Sequence, residues 1–215
     1  MTILTMMSKM SEGLGRTCAI FFLTLLFALP LGLVVAKLRM SRNKIISAVT
    51  KAYISILRGT PLMLQLLAVT YGPYYLFGAT VARNKLIPVV VAFSINYAAY
   101  FAEIFRAGIQ SIPVGQTEAA TVLGYTKVQT FLKIIFPQMI KRTIPPVTNE
   151  VITLVKDTSL SFVLAYQEML TYAKQVSAAM SSLMPLFVAG VFYYIFNLVV
   201  TIVMDRIEKA LSYYN

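Results

Sequence analysis

Residues 14–36 read LGRTCAIFFLTLLFALPLGLVVA, twenty-three positions whose only charge is Arg16, near the start. A helix crosses the hydrocarbon core of a bilayer with about 20 apolar residues. The run is too long for the core of a secretory signal, and no small-residue cleavage site follows it. The stretch therefore predicts a membrane span, and four more follow it. Residues 53–77 form the second, interrupted by Arg58-Gly59-Thr60-Pro61. The third, 86–105, holds Asn96 and Glu103, and the fifth, 185–204, is cleanly apolar apart from Asn197. The fourth, 144–165, is the least hydrophobic and carries Glu150, Lys156 and Asp157. The expected fold is an all-α integral membrane protein, a single domain over 1–215 with five transmembrane helices. Residues 166–182, rich in Ala, Met and Gln, predict a short helix at the outer face.

Composition agrees. The chain is 58% hydrophobic and 13% charged, with a mean hydropathy of +0.74, whereas a soluble domain is roughly half apolar and about a quarter charged. A net charge of +11 does not point to nucleic acid, because the basic residues lie between apolar runs and form no interleaved basic–aromatic patch. They follow the positive-inside rule instead, with anionic lipid as the attracting surface. Lys37, Arg39, Arg42, Lys44, Lys51, Arg106, Lys127, Lys133, Lys141, Arg142, Arg206 and Lys209 make twelve on one side. Lys9, Arg16, Arg83, Lys85 and Lys174 make five on the other, and Arg58 and Lys156 fall within spans, which completes nineteen. This asymmetry predicts an external N-terminus, a cytoplasmic C-terminus and a cytoplasmic segment between spans three and four.

Several chemistries are excluded. The lone Cys18 rules out an internal disulfide, and the absence of histidine argues against a zinc site or a histidine-dependent triad. None of the ten glycines precedes a lysine, so no phosphate-binding GxxxxGK[ST] loop exists. No metal or cofactor is expected in this chain, and any ATP, with its Mg, must be bound by another. No nucleophile–base set supports an enzyme.

The cytoplasmic loop 111–137 reads SIPVGQTEAATVLGYTKVQTFLKIIFP. Pro113 suits a first helical turn, Gly124 a left-handed helix ending, and Thr126 with Gln129 a capping box. Pro137 would close the second of two short helices. The expected shape is a compact knob, which fits a groove on a soluble partner but equally any structured loop.

Glu118-Ala119-Ala120, Gly124, Ile134 and Phe136-Pro137 resemble the EAA loop of ATP-binding-cassette importer permeases, with Phe136 in the place of the usual leucine. Arg58-Gly59-Thr60-Pro61, the run Ala102 to Ile109, Asn149-Glu150 and the run Lys156 to Leu160 extend the resemblance to the polar amino-acid subfamily, in the same order and at similar spacing. What the resemblance implies is a type I importer in the cytoplasmic membrane of a prokaryote. Two permeases, identical or related, would pair around a pathway. Two ATPase subunits would dock on Glu118, Ala119, Ala120 and Gly124, and an external binding protein would deliver an amino acid. A channel without ATPase coupling is the alternative, although it has no use for a docking knob.

Glu150 and Asp157 lie seven apart, on one helix face about 10 Å from each other. An acidic side chain at mid-bilayer costs on the order of 3 kcal/mol unless it meets water, a partner or a substrate. The two therefore line a polar pathway, binding an ammonium or a cationic side chain, or pair structurally with Lys156 or Arg58, or sit near an interface. Asn96 either adds an amide contact to the ligand or joins two spans. Arg58 is expected to pair with Glu103, and the hydroxyls of Thr158 and Ser159 to bond back within their own helix.

Overall fold

The structure, a computed structural model, describes residues 3–211, and among these all the regular structure is helical. α1 spans Ile3–Arg39, α2 Lys44–Gly59, α3 Leu62–Phe77 and α4 Leu86–Gln110. Two short helices follow, α5 (Val114–Val122) and α6 (Lys127–Thr130). A π turn over Phe131–Ile135 then leads into α7 (Phe136–Asp157). A 3₁₀ segment over Thr158–Leu164, α8 (Met169–Met180) and α9 (Met184–Leu211) complete the fold.

α1 and α4 form the spine. Gly32 brings them together: a Cβ there would lie 2.7 Å from Cβ of Phe101 and 3.3 Å from the carbonyl of Ala98. Towards the other end, Leu23 and Phe27 of α1 face Leu86, Ile87, Val90 and Val91 of α4. Low numbers meet low numbers, so the two helices run in the same direction. α9 runs with them, since Met10 and Ala189 share one apolar cluster and the rings of Phe21 and Phe196 lie 5.3 Å apart, edge to face. α7 runs the opposite way: Gly108 lies against Met139 and Thr143, while Tyr97 reaches Asp157. Phe93, Phe101, Leu66 and Leu154 fill the core between them. The outward faces of α1 and α9 stay apolar, with Phe22, Leu26, Phe187 and Ile195 all more than half exposed, as lipid-facing helices should be.

Three helices are long and apolar enough to cross a membrane: Met7–Arg39, Leu86–Gln110 and Met184–Leu211. α2 and α3 together would make a fourth, bent by 113° at their junction. α7 is too polar to qualify by composition. The five expected spans are therefore matched by three or four on length and hydrophobicity alone.

The second and fourth runs differ from their sequence limits. α2 begins at Lys44 rather than near residue 53, because Asn43 Oδ1 accepts from the N–H of Ile45 at 2.9 Å and of Ile46 at 3.4 Å, capping the helix there. The fourth run, expected over 144–165, is α-helical only to Asp157 and tightens to 3₁₀ before Ala165 takes a left-handed conformation, φ +54°. Its start lies further upstream, because Pro137 does not end the preceding helix. Without an N–H, Pro137 cannot bond the carbonyl four residues back. The turn widens instead, with the N–H of Phe136 reaching Phe131 O, five residues back. Helical structure thus continues from Lys127 to Asp157.

The expected outer helix is α8, anchored by a residue that the sequence did not single out. Glu168 is fully buried and caps α8, accepting from the N–H groups of Leu170 and Thr171, both at 2.8 Å, and from the Tyr193 hydroxyl at 2.6 Å. Burial pushes its carboxyl above the usual range, against the opposite pull of those hydrogen bonds. A raised carboxyl in the folded state means that stability falls as pH climbs from the ordinary carboxylate value through the folded one. Glu168→Ala should destabilise by on the order of 3 kcal/mol, through a lost cap and the lost hydrogen bonds to Tyr193 and Thr171. Glu168→Gln keeps an acceptor oxygen and should flatten that pH slope. Thermal unfolding in detergent at several pH values checks both.

Candidate functional site

The junction of α2 and α3 leaves carbonyls without helical partners, and two amides satisfy them. Gln65 Nε2 donates to Leu57 O at 2.9 Å and to Thr60 O at 3.1 Å. Asn96, 4% exposed, donates to Leu57 O at 3.1 Å and to Gln65 Oε1 at 2.9 Å. Both Asn96 N–H groups are thereby committed to joining the broken pair to α4. Broken backbone at membrane depth is tolerated where protein satisfies it in this way.

α7 carries the acidic residues on a polar flank. Val147, Val151, Leu154 and Val155 are buried on one side, whereas Pro145, Pro146, Asn149 and Lys156 are exposed on the other, with Glu150, Thr153 and Asp157 half-buried at its edge. The two prolines also withhold the donors that the carbonyls of Lys141 and Arg142 would otherwise receive. Asp157 accepts from the Tyr97 hydroxyl at 2.8 Å. Glu150 makes no hydrogen bond or ion pair among the described residues. Neither Lys156 nor Arg58 forms an ion pair with either acid: Arg58 instead stacks its guanidinium over Tyr100, 5.1 Å from the ring centre.

The expected Arg58–Glu103 pair is not formed. Glu103 is taken by Arg106 in a forked contact, 2.6 Å at its shortest. One helical turn separates these two, whereas Arg58 would have to reach across from another helix. Thr158 and Ser159 bond back to Val155 O and Lys156 O, both at 2.7 Å. Tyr97 was not singled out in the sequence, but the signal was there: a tyrosine hydroxyl in mid-span, far from any interface, needs a partner.

The loop between α4 and α7 folds as a knob. Pro113 stands immediately before α5, and Gly124 has φ +77°, the left-handed ending expected after that helix. Thr126 and Gln129 form the complete capping box, with Thr126 N–H donating to Gln129 Oε1 at 2.9 Å. On α5, Glu118 and Ala119 are exposed and Ala120 is buried, and Gly124 is exposed. Val122, Leu123 and Val128 are 87%, 74% and 67% exposed around the turn. The knob is tied to the rest of the chain by Arg142 Nη1 donating to Ser111 O and by Gln138 Nε2, which lies 2.9 Å from Ile134 O and 3.4 Å from Gln116 Oε1. Lys37, at the end of α1, sits 4.1 Å from the ring centre of Phe131 in the π turn.

Long apolar helices that enclose a broken helix and two carboxylates are the features of an integral membrane component. Residues 28–213 match the family described as binding-protein-dependent transport system inner membrane component, and the chain belongs to that family. It is 35% identical over 208 residues to the L-cystine transport system permease protein TcyB of Bacillus subtilis, covering 95% of this chain and 87% of that one. The arginine transport system permease protein ArtQ of the same organism is 36% identical over 202 residues, covering 94% and 91%. Among solved structures, that of an amino acid ABC transporter with histidines superposes with a TM-score of 0.84. It is 31% identical and covers 98% of this chain and 100% of its own.

Proposed function

We propose that this chain is the permease of an ATP-driven importer that moves a polar or charged amino acid across the cytoplasmic membrane of a prokaryote. The observation that carries the proposal is one continuous run of helix, Lys127 to Asp157, that begins in the knob and ends at the acidic site. At 1.5 Å per residue it is roughly 45 Å long, enough to carry a displacement of the knob into the bilayer. Glu150 and Asp157 take the ammonium or a cationic side chain of the ligand. Asn96 shapes the floor of the pathway through its bonds to Leu57 and Gln65. ATP and Mg belong to two ATPase subunits docked on Glu118, Ala119, Ala120 and Gly124. A second permease, identical or related, completes the pathway, and an external binding protein delivers the substrate. The relatives named for cystine and arginine support the amino-acid class.

In this reading the chain crosses the membrane five times, with its N-terminus outside and its C-terminus in the cytoplasm. The common direction of α1 and α4 supports it, because α2 and α3 must then return the chain to the outer side between them. The opposite run of α7 returns it once more before α9. The five basic residues grouped around the end of α1 and the start of α2 support the same orientation.

Reconstitution with candidate ATPases and a binding protein tests the function. ATP hydrolysis should rise when a polar or charged amino acid is supplied with the binding protein. Amino-acid flux that proceeds without any ATPase bound would point to a channel and refute the proposal.

A further inference from the structure

A groove of about 780 Å³ opens beside the knob, between the inner end of α4, α5 and the start of the α6–α7 run. Its floor is apolar: Ile112 and Ile135 are buried, with Ile109 and Phe131 beside them. Thr117 and Thr121, one turn apart on α5, form a wall, and Lys127 is the charged residue among those lining it. Neither of the ion pairs among the described residues uses Lys127.

Two features limit what can fill this groove. Apart from Ile109 and Gln110 its lining belongs to the loop 111–137, which is cytoplasmic in the proposed orientation, and an apolar surface left to water marks an interaction site. Thr121 and Lys127, which line it, are also the chain neighbours of the exposed apolar Val122 and Val128 of the knob. A partner seated on the knob therefore passes over the groove. With Lys127 at its edge, charge complementarity favours an apolar side chain followed by a carboxylate.

We propose that the groove receives an apolar side chain with an acidic neighbour, projecting from the ATPase, so that docking is reciprocal: the knob enters the ATPase and the ATPase enters the knob. This rests on the reading of the knob as the ATPase-coupling element. Thr121→Trp fills the groove without touching the Gly124 turn, and Lys127→Glu reverses its charge.

In the complete complex, Thr121→Trp is expected to weaken ATPase association at least tenfold. Lys127→Glu is expected to weaken it several-fold and to remove part of its salt dependence. A benzoylphenylalanine placed at Thr117 should cross-link to the ATPase on illumination, which gives a readout even if the tryptophan variant fails to fold. Cross-linking to a second copy of this chain or to lipid, or ATPase binding undiminished in both variants, would overturn the proposal. If Gly124→Asp loses the ATPase while these two variants retain it, the groove is empty but the coupling reading stands. If all three retain it, the coupling reading itself fails.

Discussion

Gly124→Asp should abolish co-purification of the ATPase subunits while leaving the permease folded in the membrane. Gly124 adopts φ +77°, where a side chain costs roughly 1–2 kcal/mol, with aspartate among the mildest offenders. Strain alone would therefore only weaken the knob. The larger effect is the carboxylate, which would sit between Leu123 and Tyr125 on an exposed apolar surface that a partner must desolvate. A charge buried without a counter-ion costs several kcal/mol, and a loss of about 2.7 kcal/mol already weakens association by about a hundredfold. Gly124→Ala separates the two causes, since it adds strain without charge and should reduce association only in part. Nothing lies within 4 Å of a Cβ at Gly124 in the permease itself, so the isolated chain should lose no more thermal stability than that backbone strain accounts for. ATPase recovered in wild-type amounts with Gly124→Asp would remove the knob from the coupling pathway.

Much of this architecture is readable because its causes are local. The break at residues 59–61, the left-handed Gly124 and the capping box from Thr126 to Gln129 each depend on residues within a turn of one another, and all three appear where the sequence puts them. The forked Glu103–Arg106 contact is equally local, at a spacing of three, yet the sequence reading pairs Glu103 with the more distant Arg58. The π turn shows the limit of local rules. Proline stops a helix only if no wider turn can absorb the missing donor, and Phe136 N–H supplies that turn through Phe131 O. Pairings between distant segments cannot be read at all. Tyr97 meets Asp157 across sixty positions, and Glu168 meets Tyr193 across twenty-five. Only packing of the helices brings such groups together. Hydropathy does not pick out α7 as a span for a related reason: its apolar residues gather on one face, so a measure averaged around the helix sees a polar segment.

Glu150→Gln and Asp157→Asn should each reduce amino-acid uptake by roughly ten- to a hundredfold in reconstituted vesicles, the worth of a charge-assisted hydrogen bond of about 1.5–3 kcal/mol. Neither variant should lose its fold. Glu150 has no hydrogen bond or ion pair to forfeit among the described residues. Asp157→Asn keeps a side-chain oxygen that can accept from the Tyr97 hydroxyl, which lies 2.8 Å from the native carboxylate. Their failures should nevertheless differ in kind. Asp157 is held in place by Tyr97, so its loss removes a fixed charge from the pathway, and Tyr97→Phe should reproduce part of the defect by freeing the carboxylate. Glu150 is unrestrained, and removing it should raise the half-saturating concentration more than it lowers the maximal rate. If both acids hold the same ammonium group, the double variant will lose less than the product of the two single losses, because a shared contact can be lost only once. Independent contacts would multiply. Uptake that survives in both single variants and in the double variant, with normal assembly, would mean that the acids balance charge within the protein and that the ligand passes elsewhere.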